Sequence, residues 1–257
     1  MGRPVPSFGT AGVSEAAKVA LPQHVKWRFY EDLVLGPLGQ LYLVGIDLFE
    51  DGYVPPDYAG YPVDPGDTFV APVVMKLLHD GRIDPTFGNA GSVNPLAVSE
   101  SAYVRVLGID RRGLVLQIDR ERRTSRKKHR VTSSVVRVSP SGQRNLNFGV
   151  RGEIVIGSWL EDLTTTEHSA RAYLGRDRIV TESEAWNCPP EFRAKIYDGR
   201  GRFLRRVPKD AVQFPGRCRD IQETWTDGKS ILSNASTIQG RDNHTVSNEL
   251  WKARFPR

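Results

Sequence analysis

The sequence predicts an all-β protein: a β-propeller built from four repeats of about sixty residues, with four short antiparallel strands per blade. Three observations support this prediction. An apolar-basic-apolar triplet recurs at a nearly constant interval, a Phe-Gly element follows it, and every interval holds a candidate hairpin. They indicate a single domain over residues 1–257, with units at about 3–81, 82–142, 143–201 and 202–257.

The triplet sets the period of the repeat. Its central cations are 61, 58 and 59 positions apart, and the copies are Met75-Lys76-Leu77, Val136-Arg137-Val138, Ala194-Lys195-Ile196 and Ala253-Arg254-Phe255. Four cations at the equivalent position of each unit could form a ring around a bound anion. A structural role is favoured, in which they block edge pairing of outer strands or bond the following turn.

A glycine-rich connection follows each of the first three triplets. It begins with Asp80-Gly81, Ser141-Gly142 or Asp198-Gly199 and leads towards a Phe-Gly-x-x-Gly element. That element is Pro6 to Val13 in the first unit, Pro85 to Val93 in the second and, weakened, Leu146 to Ile154 in the third. Glycine reaches positive φ without a Cβ clash, so these dipeptides predict turns between strands.

Each unit also contains two short apolar runs around a turn with glycine, which predicts a hairpin. The pairs are Leu33–Leu35 with Leu41–Val44, Tyr103–Ile109 with Leu114–Leu116, Ala172–Leu174 with Ile179–Val180, and Cys218–Trp225 with Ile231–Leu232. The runs are continuous more often than alternating, which indicates burial on both faces, as in stacked propeller sheets. Helical periodicity is weak, so we expect little helix.

The stretch from Lys76 to Gly91 resembles the bacterial delta-60 repeat, in which an apolar-basic strand leads into a DG turn and a D-x-x-FG-x-x-G element. The second unit matches best, and the fourth has Val207 in place of the phenylalanine. Its segment from Asp227 to Leu232 still resembles the family's dGkil hairpin. The resemblance implies a propeller-like fold, often in secreted or surface proteins, and no defined reaction.

Composition limits the class of protein further. The chain is 39% apolar, which favours a packed core over disorder, and it has no run of the roughly 18 apolar residues that a membrane span needs. The N-terminus lacks the pattern of a cleavable signal. The spacing of the units predicts a small closed ring. The alternatives are a part of a larger propeller, or half of one that a dimer completes.

Two segments between strands carry opposite charge and are candidate binding surfaces. The first unit gathers Asp47, Glu50, Asp51, Asp57, Asp64 and Asp67 with Tyr53, Tyr58 and Tyr61. The second concentrates Arg120, Arg122, Arg123, Arg126, Lys127, Lys128 and Arg130 within eleven residues. Without this basic segment and its Glu121, the net charge of +6 falls to zero, so the excess charge is local. Such a run can bind anionic polymers, or it can be a solvated loop that pairs with the acidic one.

Cys188 and Cys218 fall in loops of adjacent units on one face of the predicted propeller, where they could form a disulfide or remain two free thiols. The five histidines are dispersed, and none has a second ligand at metal spacing, so no metal site or cofactor is predicted. No G-x-S-x-G, H-E-x-x-H, C-x-x-C or Walker motif occurs.

These observations favour a non-enzymatic binding scaffold. Its candidate contacts are Arg122, Arg123, Arg126, Lys127, Lys128, Tyr53, Tyr58, Tyr61 and Trp186. The expected partner is a protein, a glycan or an anionic polymer. Nucleic acid is less favoured, because the basic run lacks interleaved aromatic residues. The alternative is a glycosidase-like propeller hydrolase, with carboxylates from different blades meeting in the central channel.

Overall fold

A computed structural model describes residues 16, 19–53, 68–96, 101–125, 128–162, 168–175, 178–185, 191–207, 219–226, 230–237 and 247–254. Fifteen strands occur in these ranges. They are β1 Val25–Leu35, β2 Leu41–Phe49, β3 Val70–Leu77, β4 Ser92–Val93, β5 Ser101–Asp110, β6 Gly113–Arg123, β7 Lys128–Val138, β8 Glu153–Asp162, β9 His168–Leu174, β10 Arg178–Ala185, β11 Glu191–Asp198, β12 Phe203–Arg206, β13 Arg219–Thr226, β14 Ser230–Thr237 and β15 Ser247–Arg254.

The strands form four antiparallel sheets in which neighbours in sequence are neighbours in space. The first sheet contains β1 to β4, the second β5 to β8, the third β9 to β12, and the fourth β13 to β15. The all-β prediction is confirmed, as are the four hairpins, and the described ranges contain no α-helix. None of their secondary-structure elements is a helix able to cross a bilayer.

The sheets are offset by one strand from the units read in the sequence. The strand that follows each Phe-Gly element pairs with the triplet strand before it, so that Val74 opposes Val93 and Val135 opposes Ile154. The same arrangement joins β11 to β12. Each glycine-rich connection therefore returns the chain to the sheet it has just left, and the change of sheet comes one strand later.

The strands are also longer than their apolar runs. β1 and β6 each span 11 residues, although only three residues of each were expected to be strand on apolar character. From Trp27 onwards, the extra residues of β1 alternate between exposed and half-buried positions. Hydrogen bonding to β2 continues here although the exposed side chains include Trp27 and Phe29, so backbone pairing and not an apolar face towards the core sets the length of this strand.

The core lies between sheets, and the second sheet is buried on both sides. Leu114 and Leu116 pack with the first sheet, whereas Val115 between them packs with the third. All three side chains are at most 1% exposed. Successive residues of a strand point to opposite faces, so a continuous apolar run places one set of side chains in each core. The predicted burial on both faces is confirmed for this sheet.

A repeated backbone contact joins consecutive sheets. The Gly88 N–H donates to the Ser141 carbonyl over 2.9 Å, and the Gly149 N–H donates to the Arg200 carbonyl over 3.1 Å. Each bond runs from the Phe-Gly element attached to one sheet to the glycine-rich turn of the next sheet. Gly201 lies so close that a Cβ there would be 2.6 Å from the Gly149 nitrogen. We call these contacts the first junction, between the first and second sheets, and the second junction, between the second and third.

The triplet cations bridge the same junctions. Lys76 pairs with Asp84 at 2.7 Å and donates to the Pro140 carbonyl over 3.4 Å. Arg137 is fully buried, pairs with Asp110 and donates to the Gly199 carbonyl over 3.0 Å. Their strands, β3 and β7, lie inside sheets, so the edge-blocking alternative is wrong for these two cations. They bond turns, and each reaches a turn of the following unit.

Candidate binding surface

The basic segment is mostly strand, which corrects its interpretation as a loop. β6 continues to Arg123 and β7 begins at Lys128, so the predicted contacts Arg122, Arg123 and Lys128 lie in a hairpin. Arg126 and Lys127 lie outside the described residues. The prediction failed because charged residues on both faces of a hairpin give no apolar alternation, although the backbone pairing is regular.

Strand alternation divides the cations between two faces. Arg122 lies directly opposite Arg130, and Lys128 lies on the same face two residues before Arg130. All three are exposed. Arg123 points to the other face, where it is half-buried and its Nε donates to the Ser125 carbonyl over 3.2 Å. We call Arg122, Lys128 and Arg130 the cationic face.

The cationic face has one acidic residue beside it in the strand register, Asp162, which lies opposite Lys128 on β8. Within the described part of the chain, no ion pair involves any of its three side chains. Arg120, which lies two residues before Arg122 on β6, does pair with Glu153, at 3.1 Å. Like charges directly opposite each other destabilise a strand pair. The opposition of Arg122 and Arg130 is therefore a local cost of folding that a bound anion would reduce.

The opposite face of the hairpin end carries carboxylates. The indole Nε1 of Trp159 donates to Glu161 over 2.6 Å, and Glu161 also lies 3.4 Å from the Nε2 of His129. Burial raises the pKa of Glu121, the charges of Glu161 and Asp119 raise it further, and His129 opposes them. Glu161 is thus held by its neighbours, while Glu121 is a half-buried carboxyl whose pKa is raised. The described residues contain no group of three side chains suited to a metal ion.

Of the predicted aromatic contacts, the structure describes Tyr53, and its ring contacts lie within the first sheet. Tyr53 stacks on His24 at 4.4 Å and on Phe49 at 5.3 Å between ring centroids, beyond the end of β2. The stack explains the half-buried position of Tyr53. Tyr58, Tyr61 and Trp186 lie outside the described residues, as do Cys188 and Cys218.

The acidic residues that the structure describes pair within the first sheet. Asp47 forms two hydrogen bonds with Arg28, of 2.6 and 2.8 Å, and both side chains are largely buried. Glu50 lies 3.4 Å from His24, and Asp51 lies 3.5 Å from Lys26. The described acidic side chains thus have partners other than the basic segment, while Asp57, Asp64 and Asp67 lie outside the described ranges.

A second basic site was not predicted from the sequence. Arg111 and Arg112 form the turn between β5 and β6, and Arg200 and Arg202 follow β11. These four residues line one open cleft at the second junction. The available signal was the arginine content of the two turns, but the glycines of the second turn indicated only a connection between units.

Comparison of the chain with models of protein families and with curated proteins finds no match.

Proposed function

We propose that the chain is a non-enzymatic binding scaffold of β-propeller type whose cationic face binds an acidic polysaccharide. The observation that supports the binding proposal best is the exposed cross-strand pair of Arg122 and Arg130, with Lys128 beside it and no ion pair to any of the three among the described residues. The delta-60 resemblance, with the surface or secreted location in bacteria that it implies, agrees with a ligand found outside cells.

The propeller proposal draws on the packing of consecutive sheets. Three four-stranded meanders are connected in chain order, and the second packs on the first with one face and on the third with the other. Radial stacking of such sheets is what distinguishes a propeller from a two-sheet sandwich. We extend this arrangement to the fourth sheet, whose strand β13 runs close to β9.

An acidic glycan suits the cationic face better than a nucleic acid. Three cations at the end of a hairpin can follow a line of sulfates or carboxylates and release counterions from it. Single-stranded nucleic acids also need aromatic platforms for their bases. The apolar residue opposite Arg130 on β8 is Leu160, which is 45% exposed and has no aromatic ring.

The rival, a glycosidase-like hydrolase, gains little from the open cleft at the second junction. Its two carboxylates, Asp110 and Asp198, both accept hydrogen bonds from guanidinium and backbone N–H groups. In a glycosidase one carboxyl group must give a proton to the glycosidic oxygen, and the other must be free to act as a nucleophile or to activate water. The engagement of both groups therefore favours a role in holding arginines.

The test is titration calorimetry with a defined heparin oligosaccharide over a range of salt concentrations. We expect Arg122→Ser, Lys128→Ser and Arg130→Ser together to weaken binding by about tenfold or more and to reduce the slope of log K against log salt by about 2 to 3. The control carries the same substitution at Lys26, Arg82 and Arg151, which are exposed elsewhere. Equal affinity of the two variants would exclude the cationic face. Equally tight binding of single-stranded DNA would exclude the choice of glycan.

A further inference from the structure

We propose that the open cleft at the second junction is a second, separate site, which binds a small ligand through a phosphate or sulfate group. The cleft has a volume of about 620 Å³ and is lined by Asp110, Arg111, Arg112, Asp198, Gly199, Arg200 and Arg202. Sites for small molecules usually measure about 300–1,000 Å³. The cleft is therefore large enough for a ligand with an organic portion as well as its anionic group.

The two walls of the cleft are fixed to each other from beneath. Arg137 is fully buried, and its guanidinium group pairs with Asp110 on one wall and donates to the Gly199 carbonyl on the other. The Gly149 N–H adds a bond to the Arg200 carbonyl. The cleft thus exists before a ligand arrives, which lowers the entropy lost on binding.

Both carboxylates of the cleft are already satisfied. Asp198 accepts hydrogen bonds from the backbone N–H groups of Arg200 and Arg202, over 2.8 and 2.9 Å, and from the Arg202 Nε over 2.7 Å. Burial opposes these bonds, but together they lower the pKa of Asp198 below its ordinary value. Asp110 accepts from the Arg112 N–H over 2.7 Å as well as from Arg137.

Three guanidinium groups remain for a ligand. Arg111, Arg112 and Arg200 are exposed, and no ion pair holds their side chains within the described part of the chain. Four arginines against two aspartates give the lining a net charge of +2. Guanidinium groups present paired N–H donors that match two oxygens of a phosphate or sulfate, so this is the ligand chemistry the lining favours.

The first junction shows that the sheets can pack without these arginines. It has the same backbone bond, from Gly88 to Ser141, and the same bridging cation position at Lys76. Its turns, however, carry Pro37 and Leu38 where the second junction carries Arg111 and Arg112, and Ser141 where it carries Arg200. Three exposed cations at one junction and uncharged residues at the other indicate a function beyond packing.

The experiment measures binding of pyrophosphate and of inorganic sulfate by calorimetry and by the rise in Tm. We expect saturable binding to the parent chain and about a tenfold or greater loss of affinity in a variant with Arg111→Gln, Arg112→Gln and Arg200→Gln. These side chains are exposed, and the Arg112 backbone N–H that serves Asp110 is retained, so the Tm without ligand is expected to stay near that of the parent.

The matched control is Arg122→Gln with Arg130→Gln, at the other end of β6. It is expected to keep the affinity of the parent for pyrophosphate, while it loses affinity for the heparin oligosaccharide. The proposal is overturned if the parent shows no saturable binding, if the cleft variant binds as the parent does, or if the control loses as much affinity as the cleft variant. Because the two variant sets are separate, failure at one site leaves the other proposal intact.

Discussion

Replacing Arg137 with methionine tests whether the buried cation holds the second junction together. Methionine keeps most of the volume of the side chain but removes the ion pair with Asp110 and the hydrogen bond to the Gly199 carbonyl. It also removes a guanidinium group whose carbon lies 5.3 Å from the centre of the Phe148 ring. The carboxylate and the carbonyl would then both lose a charged donor.

The magnitude follows from the burial of the two partners. Removing one member of a buried ion pair costs about 3–5 kcal/mol in the free energy of unfolding, because the other charge is left unpaired. The Asp110 side chain is 31% exposed, so water can solvate part of it. We therefore expect the lower end, about 3 kcal/mol, or a fall in Tm of about 6–12 °C for a chain of this size.

Urea and thermal unfolding, followed by circular dichroism and tryptophan fluorescence, measure this loss. Hydrogen exchange at the Gly149 amide adds a local readout and is expected to become faster, since that N–H bonds across the junction. Arg111→Met is the control, because Arg111 is exposed in the adjacent turn, and a change within about 0.5 kcal/mol is expected. If Arg137→Met were no more destabilising than this control, the junction would not depend on the cation, and our account of the triplet would be wrong.

Two further predictions concern the first junction and the half-buried carboxyl group of Glu121. Gly142→Ala is expected to lower the free energy of unfolding by more than 2 kcal/mol: about 1–2 kcal/mol from its positive φ, and the rest because a methyl group would overlap the Gly88 backbone. Gly52 also has a positive φ but lies in open space, so Gly52→Ala should lose only the contribution from φ. Equal losses of Tm in the two variants would refute the close contact. For Glu121, burial raises the folded pKa, so its contribution to stability is present below the unfolded pKa and is lost as the pH rises through the folded pKa. Glu121→Gln should therefore raise Tm at pH 7 and less at pH 4, and a gain that does not vary with pH would contradict this assignment.

The local features of the fold could be read from the sequence because they depend on nearby residues. The hairpin from β5 to β6 is an example: two apolar runs enclose Gly113, which has a φ of 123° and accommodates a turn that other residues would strain. The continuous apolar run of β6 likewise indicated burial on both faces. Such signals lie within about fifteen residues of each other and need no knowledge of the tertiary structure.

The features that were missed depend on contacts between distant segments. The period identified Arg137 as a repeated position, but the Gly199 carbonyl that it bonds belongs to the next unit, and no local pattern selects that partner. The cleft has the same origin. Arg112 and Arg200 belong to different sheets and approach each other only after the junction has formed. The basic hairpin end was missed for another reason, since its strands carry no apolar stripe.

The two junctions are directional, because at each of them the Phe-Gly element attached to one sheet meets the glycine-rich turn of the following sheet. The Phe-Gly element supplies the N–H donor and the turn supplies the carbonyl acceptor. The second sheet therefore has a donor side, at Gly149, and an acceptor side, at Ser141. Interactions of this kind couple a unit only to its immediate neighbours. Duplication of one complete unit would therefore create a new junction of the existing type and leave the other junctions unchanged. A longer array could thus arise without any change to the existing contacts.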